Sequence, residues 1–420
     1  MSPLLSVVIP TRNRAASLRR LIRSLAPQVE RLGAEVVVAA DGCDDDTAAS
    51  VLLWPASFQC TLVEVPGRGA SAARAAGAHA ARGRVLLFLD DDMEPEPGLL
   101  AAHLSAHAGQ PPGAVVGASP PRLDPPLDFF RLALRDWWED DLEERMRPGH
   151  RATFRDVLTG NLSLPADLLA SAGGFDAALA CREDHELGIR LLALGAELRF
   201  APDALAWHHD ATTLEGSFRR ARLEGRGDVA IARRHPDLAP AMPFATPRTP
   251  PWVDRLAFDR PHGTDPFATG LLRVLRMLER GRFRRRYRRL YALLRGYWYW
   301  RGVAEEAGSL DEFEALLRLP APRDGRVLDL DLSRGLTRAE ELLDARRPAG
   351  ARLQVGSWWV GYLPPSPGAE PLRGRHLRPA LAGPLAGPYL QALALDGAIP
   401  DGDLSLPLPT GDLQERPHAR

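Results

Sequence analysis

The 420-residue sequence predicts an α/β fold: a mostly parallel sheet flanked by helices, then a helical extension and a small C-terminal α+β region. Three observations lead there. Short apolar runs with β-branched residues alternate with helix-spaced segments through the first 120 residues, the beat of βαβ units. Several of these runs end abruptly in polar or acidic residues. Apolar residues make up 45% and charged residues 25%, enough core for two or three domains and too ordinary for a collagen, a coiled coil or a largely disordered chain.

The elements follow in order. Residues 4–10 (LLSVVIP) read as the first strand. Residues 14–33 place Leu18, Leu21, Ile22 and Leu25 on one helical face and stop at Gly33. Residues 35–40 are a second strand ending in Asp41-Gly42, 43–53 fit a short helix, and 61–65 are a third strand. The alanine-rich 69–82 is a helix, and 85–89 (VLLFL) a strand running into Asp90-Asp91-Asp92. A helix over 95–107 and a strand over 114–118 complete the alternation. Beyond it, 157–165 is strand-like, and 166–172 and 184–194 are helices ended by Gly173-Gly174 and Gly195. Residues 198–207 are a strand reaching His208-His209, and 218–235 form an arginine-rich helix. The Pro-rich 236–266 reads as a linker or ordered loop, and 271–301 as a basic helical stretch. Segments 326–332, 337–346 and 352–362 suggest a small α+β module with a frayed tail. The expected domains are 1–235, 236–320 and 321–420.

Composition excludes several chemistries. Net charge is -1, which argues against a generally basic nucleic-acid binder. There is no lysine; all 53 basic residues are arginine, so neither a Schiff-base lysine nor a P-loop lysine is available. The three cysteines, Cys43, Cys60 and Cys181, lie far apart and form no CxxC, so neither a zinc ribbon nor a disulfide scaffold is expected. Met1 to Pro3 lead straight into the first apolar run without a leader-like segment, and no 18-residue apolar stretch occurs; the expected compartment is the cytoplasm.

In parallel sheets ligands sit beyond the carboxyl ends of the strands, where this chain places Pro10-Thr11-Arg12-Asn13, Asp41-Gly42, Pro66-Gly67-Arg68 and Asp90-Asp91-Asp92. Three adjacent carboxylates repel one another unless a cation relieves them, and hard divalent cations prefer oxygen ligands. Strand alternation would send Asp90 and Asp92 to one side and Asp91 to the other. A solvated acidic loop or a helix cap explains the same residues. Glu183-Asp184, at a helix start, suit an ordinary cap or a general base. His208 and His209 suit a structural role or a place beside a carboxylate-bound metal, with the choice between them open.

Taken in order, the motifs resemble the family 2 glycosyltransferases. They are VVIPTRNR (7–14), VVVAADGCDDDT (36–47), GRGASAARAAG (67–77), LLFLDDDMEPEPG (86–98), TGNLSLP (159–165), AGGFD (172–176), CREDHELGIRLLALG (181–195) and AWHHD (206–210). The resemblance covers roughly residues 4–235 and implies a GT-A fold, a nucleotide-sugar donor with UDP as default, and a divalent metal, Mn2+ or Mg2+. It implies transfer to a hydroxyl of a glycan or lipid-linked acceptor, with inversion in one displacement. Pro10 and Thr11 match the segment lining the base, with Arg12 beside them. Asp41 matches the acid holding base or ribose, and Arg74 a nucleotide contact. Asp90 and Asp92 match the DxD motif, the first meeting ribose or metal and the last the metal; Asp91 lies between them in the donor set. Asp184 matches the general base with Glu183 beside it, His208 or His209 a further metal or phosphate contact, and Gly160 and Asn161 the sugar and acceptor pocket. The chain departs from the family's DDGSxD with Ala40-Asp41-Gly42-Cys43-Asp44-Asp45, and has Ala75 where an asparagine is frequent.

Two rivals differ in class. A sugar-phosphate nucleotidyltransferase shares the sheet but uses a glycine-rich loop and lysines, both lacking here. A non-catalytic binding protein that kept the fold is opposed by intact Asp90, Asp92 and Asp184.

Residues 273–301 hold eleven arginines and Glu279 among Phe283, Tyr287, Tyr291, Tyr297, Trp298, Tyr299 and Trp300. This suits peripheral contact with the inner face of the plasma membrane or packing on the catalytic domain, with nucleic acid a third option weakened by the neutral total charge. Trp358, Trp359 and Tyr362 are expected in a core, with a sugar-stacking surface as the other reading.

Overall fold

The structure is a computed structural model and describes residues 3–52, 59–122, 127–247, 249–259, 265–281, 283–318 and 327–397. The expected frayed tail beyond 397 lies outside the described residues. The chain divides into two compact units, Met1–Arg323 with Ser366–Glu370, and Asp324–Pro365 with Pro371–Arg420.

The first unit opens with β1 (Leu5–Thr11), α1 (Ala15–Leu32), β2 (Glu35–Asp41), α2 (Thr47–Leu52), β3 (Cys60–Val65), α3 (Ala70–Ala80) and β4 (Val85–Leu89). It continues with β5 (Met93–Pro95), α4 (Leu99–His107), β6 (Gly113–Ala118), α5 (Phe129–Met146), β7 (Asn161–Pro165), α6 (Ala166–Ser171), α7 (Glu183–Ala193), β8 (Glu197–His208) and α8 (Leu214–Arg234). The strands form one sheet in the order β3-β2-β1-β4-β7-β6-β8-β5. Neighbours pair in parallel except where β7 and β5 run against their neighbours. Period-two alternation splits the β1 core: Val7 and Ile9 join Leu18, Leu21, Ile22 and Leu25 of α1 on one face, while Val8 joins Leu162, Leu164, Leu187 and Leu191 on the other.

Two boundaries differ from expectation. The helix expected from 95 starts at Leu99, because Pro95 and Pro97 push the residues before them into extended backbone; Met93–Pro95 instead pair with β8. Residues 129–146, where no helix is expected, form α5. Its start was readable: Asp128 caps it, its Oδ1 accepting from the Arg131 N–H at 2.7 Å.

The Pro-rich segment is not a free linker. Leu238, Ala239, Met242 and Phe244, followed by Val253 and Ala257 of α9 (Pro251–Asp259), are buried in a helical core. The same core takes α10 (Pro266–Arg280), α11 (Arg284–Ala307) and α12 (Leu310–Leu317). Most aromatics of 273–301 pack in this core: Tyr287, Tyr297, Tyr299 and Trp300 are buried, and Tyr291 and Trp298 pack on it. Phe283 and Met277 stay exposed. Among the described residues no helix is long and apolar enough to cross a membrane.

The second unit holds β9 (Val327–Asp331), α13 (Leu336–Arg346), β10 (Gly350–Val355), β11 (Trp358–Leu363), α14 (Leu377–Ala382) and α15 (Ala386–Leu395). The helices cover one sheet face through Leu343, Leu377, Leu381 and Ala392, packed with Leu353, Val355 and Val360. Trp358, Trp359 and Tyr362 are exposed rather than core, because β11 is an edge strand and the helices cover one face alone.

Candidate active site

The expected alternation of the three aspartates fails because β4 ends at Leu89 and the chain turns, the Met93 N–H donating to the Asp90 carbonyl at 3.1 Å. Each carboxylate takes its own partners. Asp90 Oδ1 lies 2.7 Å from Arg74 Nη2. Asp91 is buried; its Oδ2 accepts from Thr11 Oγ1 at 2.8 Å and its Oδ1 faces Arg14 Nη1 at 3.0 Å. Burial pushes the Asp91 carboxyl up to about 6, against the pull of Arg14 and Thr11. Asp92 Oδ2 meets Arg14 at 2.9 Å, and its Oδ1 stands 3.5 Å from His208 Nε2. Burial opposes its charge, but His208 and Arg14 outweigh that and hold the carboxyl below the usual range. Arg14, quoted in the first motif but given no role there, thus ties two of the three aspartates to the β1 loop.

Arg74 is the hub of the opposite side. Its Nη1 lies 2.5 Å from Glu183 Oε1 while Nη2 holds Asp90, so one buried guanidinium joins β4 to the start of α7. Its Nε is buried without a hydrogen-bond partner. Asp184 follows Glu183. Its Oδ1 accepts from the His185 N–H at 2.8 Å, and among the described residues it makes no ion pair within 4.0 Å. Burial raises the Asp184 carboxyl above the usual range, against the pull of Arg182, Arg74 and Arg220. Burial and the neighbouring Asp184 raise Glu183 likewise, against Arg74.

Several expected donor contacts are committed elsewhere. Pro10 and Thr11 are buried within β1, leaving Arg12 exposed on the loop. Asp41 accepts from the Arg68 and Gly69 N–H groups, one on each oxygen at 2.7 Å, and so secures the turn before α3. That turn needs Gly42, at φ 61°, because a Cβ there would stand 2.9 Å from Gly67 Cα. Asn13 joins the loops, its Oδ1 accepting from the Asp44 N–H at 2.9 Å.

Gly160 and Asn161 separate. Gly160 lies against the site: its carbonyl accepts from the Asp90 N–H, and a Cβ there would come within 3.2 Å of Asp90 Oδ2. Asn161 is buried. Its Nδ2 donates to the Ala204 and Ala118 carbonyls at 2.9 and 3.2 Å, and its Oδ1 meets His103 Nε2 at 2.8 Å. It is a clamp across β6, β7, β8 and α4. We expect Asn161→Ala to cost about 3 kcal/mol in urea unfolding, since it orphans buried polar groups at roughly 1–3 kcal/mol each; a loss below 1 kcal/mol would refute the clamp.

The two histidines point apart, as neighbours leaving a strand do. His209 Nε2 lies 2.6 Å from Glu94 Oε2, which withdraws it from the expected metal set. His208 faces Asp92, and Trp138 of α5 packs edge-on to its ring at 5.1 Å. Trp138 was missed with its helix. Among the described residues no three His, Cys, Asp or Glu side chains gather to hold a metal by themselves. Within the expected set Asp90, Asp92, His208 and His209, Asp92 and His208 face each other. These two fit a divalent cation: Asp92 Oδ1 and His208 Nδ1 are buried without hydrogen-bond partners, and carboxylate oxygen and imidazole nitrogen are accepted ligands.

Comparison with known proteins places this geometry. Residues 6–159 match the family described as Glycosyl transferase family 2. A pre-mycofactocin glycosyltransferase of Mycobacterium tuberculosis is 30% identical over 239 residues, 55% of this chain and 48% of its own. A validoxylamine A glucosyltransferase of Streptomyces hygroscopicus subsp. jinggangensis is 34% identical over 278 residues, 58% of this chain and 64% of its own. The chain thus spans about half to two thirds of these relatives' length. A mannosyltransferase from Pyrobaculum calidifontis, solved with GDP-Man and Mn2+, superposes with a TM-score of 0.50 at 21% identity, covering 71% of this chain and 86% of that one. That likeness is one of fold, the GT-A arrangement expected from the motifs.

Proposed function

We propose that this chain, whose residues 6–159 match Glycosyl transferase family 2, transfers a hexosyl group from a nucleotide-sugar donor to an acceptor hydroxyl, with inversion. The observation that carries the proposal is the division of labour among carboxylates. Asp92 is paired with cationic partners and a histidine, as a diphosphate-and-metal edge requires. Asp184 is partly buried and makes no ion pair among the described residues, as suits a base.

In this reading Arg12 and Arg14, at the carboxyl end of β1, meet the donor's phosphates, and Asp90, oriented by Arg74, faces the ribose. Asp92 and His208 hold the cation, which when bound neutralises charge developing on the leaving diphosphate. Asp184 takes the proton from the acceptor hydroxyl as the glycosidic bond forms. One bond to the anomeric carbon breaks as the other forms, without a covalent intermediate. The acceptor, a hydroxyl of a glycan or lipid-linked sugar in surface polysaccharide or glycolipid synthesis, approaches past α5, whose Trp138 borders His208. UDP is the donor nucleotide favoured, ahead of GDP and dTDP.

Thermal unfolding with UDP-, GDP- and dTDP-sugars, each with and without Mn2+ or Mg2+, tests this. A donor at 100 times its Kd stabilises by about 2.7 kcal/mol. We expect a metal-dependent shift with one nucleotide, lost in Asp92→Ala. Unchanged affinity in Asp92→Ala would remove that residue from the metal site, and no shift with any donor, alone or with a glycan acceptor added, would overturn the nucleotide-sugar reading.

A further inference from the structure

The residue before the Glu183-Asp184 pair carries a conformation that its own chemistry does not favour. Arg182 is the N-cap of α7 and sits at φ 70°, ψ 16°, in the left-handed region that glycine prefers. Caps are commonly Ser, Thr, Asp or Asn in extended backbone, with the side chain accepting from the helix's first N–H groups; Arg182 makes no such bond. Its carbonyl nevertheless accepts the first helical hydrogen bond, from the Glu186 N–H at 3.0 Å. The backbone of Arg182 therefore sets where the next two carboxylates leave the chain.

What holds it there lies on two other helices. Arg182 Nε is 3.1 Å from Asp228 Oδ1, and Nη2 is 3.7 Å from Glu224 Oε2, both on α8. Asp228 in turn accepts from Tyr299 Oη of α11 at 2.8 Å, and Glu224 is held by Arg295 of α11 at 2.7 Å. Asp228, Glu224 and Tyr299 are all buried. The backbones are pressed close: a Cβ on Gly227 would stand 2.8 Å from the Cys181 carbonyl oxygen, and one on Gly225 or Gly302 would overlap the facing backbone of α11 or α8.

We propose that Arg182, Asp228 and Tyr299 are positioning residues for the catalytic pair. They hold the chain before α7 in a left-handed turn so that Glu183 reaches Arg74 and Asp184 stands free of ion pairs to the described residues. The helices after the sheet thereby contribute to catalysis without touching substrate. The assignment rests on the transferase reading above.

The test separates backbone from charge. Glycine adopts this conformation without help, and alanine does not. We expect Arg182→Gly to keep kcat within about 5-fold of wild type. Arg182→Ala should lose roughly 100-fold in kcat at unchanged donor KM, the scale of a misplaced catalytic group. Asp228→Asn and Tyr299→Phe should lower kcat about 10-fold in the wild-type background and hardly at all in Arg182→Gly, the non-additivity expected of a shared network. Equal losses in the glycine and alanine variants, or an Asp228→Asn effect that is the same in both backgrounds, would overturn the proposal. Urea midpoints of the same variants give a readout independent of turnover: Arg182→Gly should unfold at a higher midpoint than Arg182→Ala, and the reverse order would again refute the turn. If the wild-type chain transfers no sugar while the midpoints follow the expected order, the transferase reading falls and the turn stands.

Discussion

Asp184→Asn abolishes glycosyl transfer while leaving nucleotide-sugar binding intact: that is the largest expected effect on activity. A positioned general base contributes roughly 10²–10⁴-fold, and the amide cannot accept the hydroxyl proton. Folding should be little affected, because Asp184 makes no ion pair among the described residues and its contact to the His185 N–H can be kept by the amide oxygen. The pH dependence follows from the same burial. The base works when ionised, so kcat should rise with pH through an apparent value above the ordinary aspartate range, since burial raises both Asp184 and Glu183. That value belongs to the pair. Single-turnover transfer and donor titration of the variant check both statements. Full activity in Asp184→Asn would remove it from the chemistry, and an acidic limb at the ordinary aspartate value would contradict the burial argument.

Arg74→Met should produce the largest loss of stability, about 3–5 kcal/mol by analogy with other broken buried ion pairs. The substitution keeps much of the side-chain volume but strands Asp90 at 2.7 Å and Glu183 at 2.5 Å from a cation that is no longer there. Both lie at the mouth of the sheet, so transfer should be lost as well. The origin of the loss is testable in a cycle. Adding Asp90→Asn and Glu183→Gln to Arg74→Met should restore most of the stability and none of the activity, because neutral partners need no guanidinium. Urea unfolding monitored by tryptophan fluorescence measures this. A cost under 1 kcal/mol, or no recovery in the triple variant, would mean that Arg74 does not compensate buried charge.

Much of the site was readable before any coordinates. Asp90, Asp92, Asp184, Arg74, Gly160 and one of the two histidines are grouped by motif order; the structure sets Arg74 against Asp90 and Glu183, and Asp92 against His208. The residues whose contacts were not legible share one cause. Asp41, Thr11 and Asn161 are polar residues at strand ends, as a donor site requires, but backbone N–H groups, carbonyls and buried neighbours occur at the same places. A one-dimensional pattern cannot say which partner a side chain meets. The same holds for Tyr297 and Trp300, whose alternation with arginine suits a membrane surface as well as a core.

Local physics alone therefore settled the alternating strands and helices of the first half, the acidic mouths of its strands, the glycine stops and the exclusion of lysine chemistry. These depend on periodicity, propensity and composition, which are carried by neighbours in the chain. Long-range packing settled the rest: the pairing of Arg74 with residues 16 and 109 positions away, the separate partners of His208 and His209, and the left-handed Arg182 held by α8 and α11. Those outcomes depend on which buried charge finds a partner, and only a closed fold brings the partners within reach.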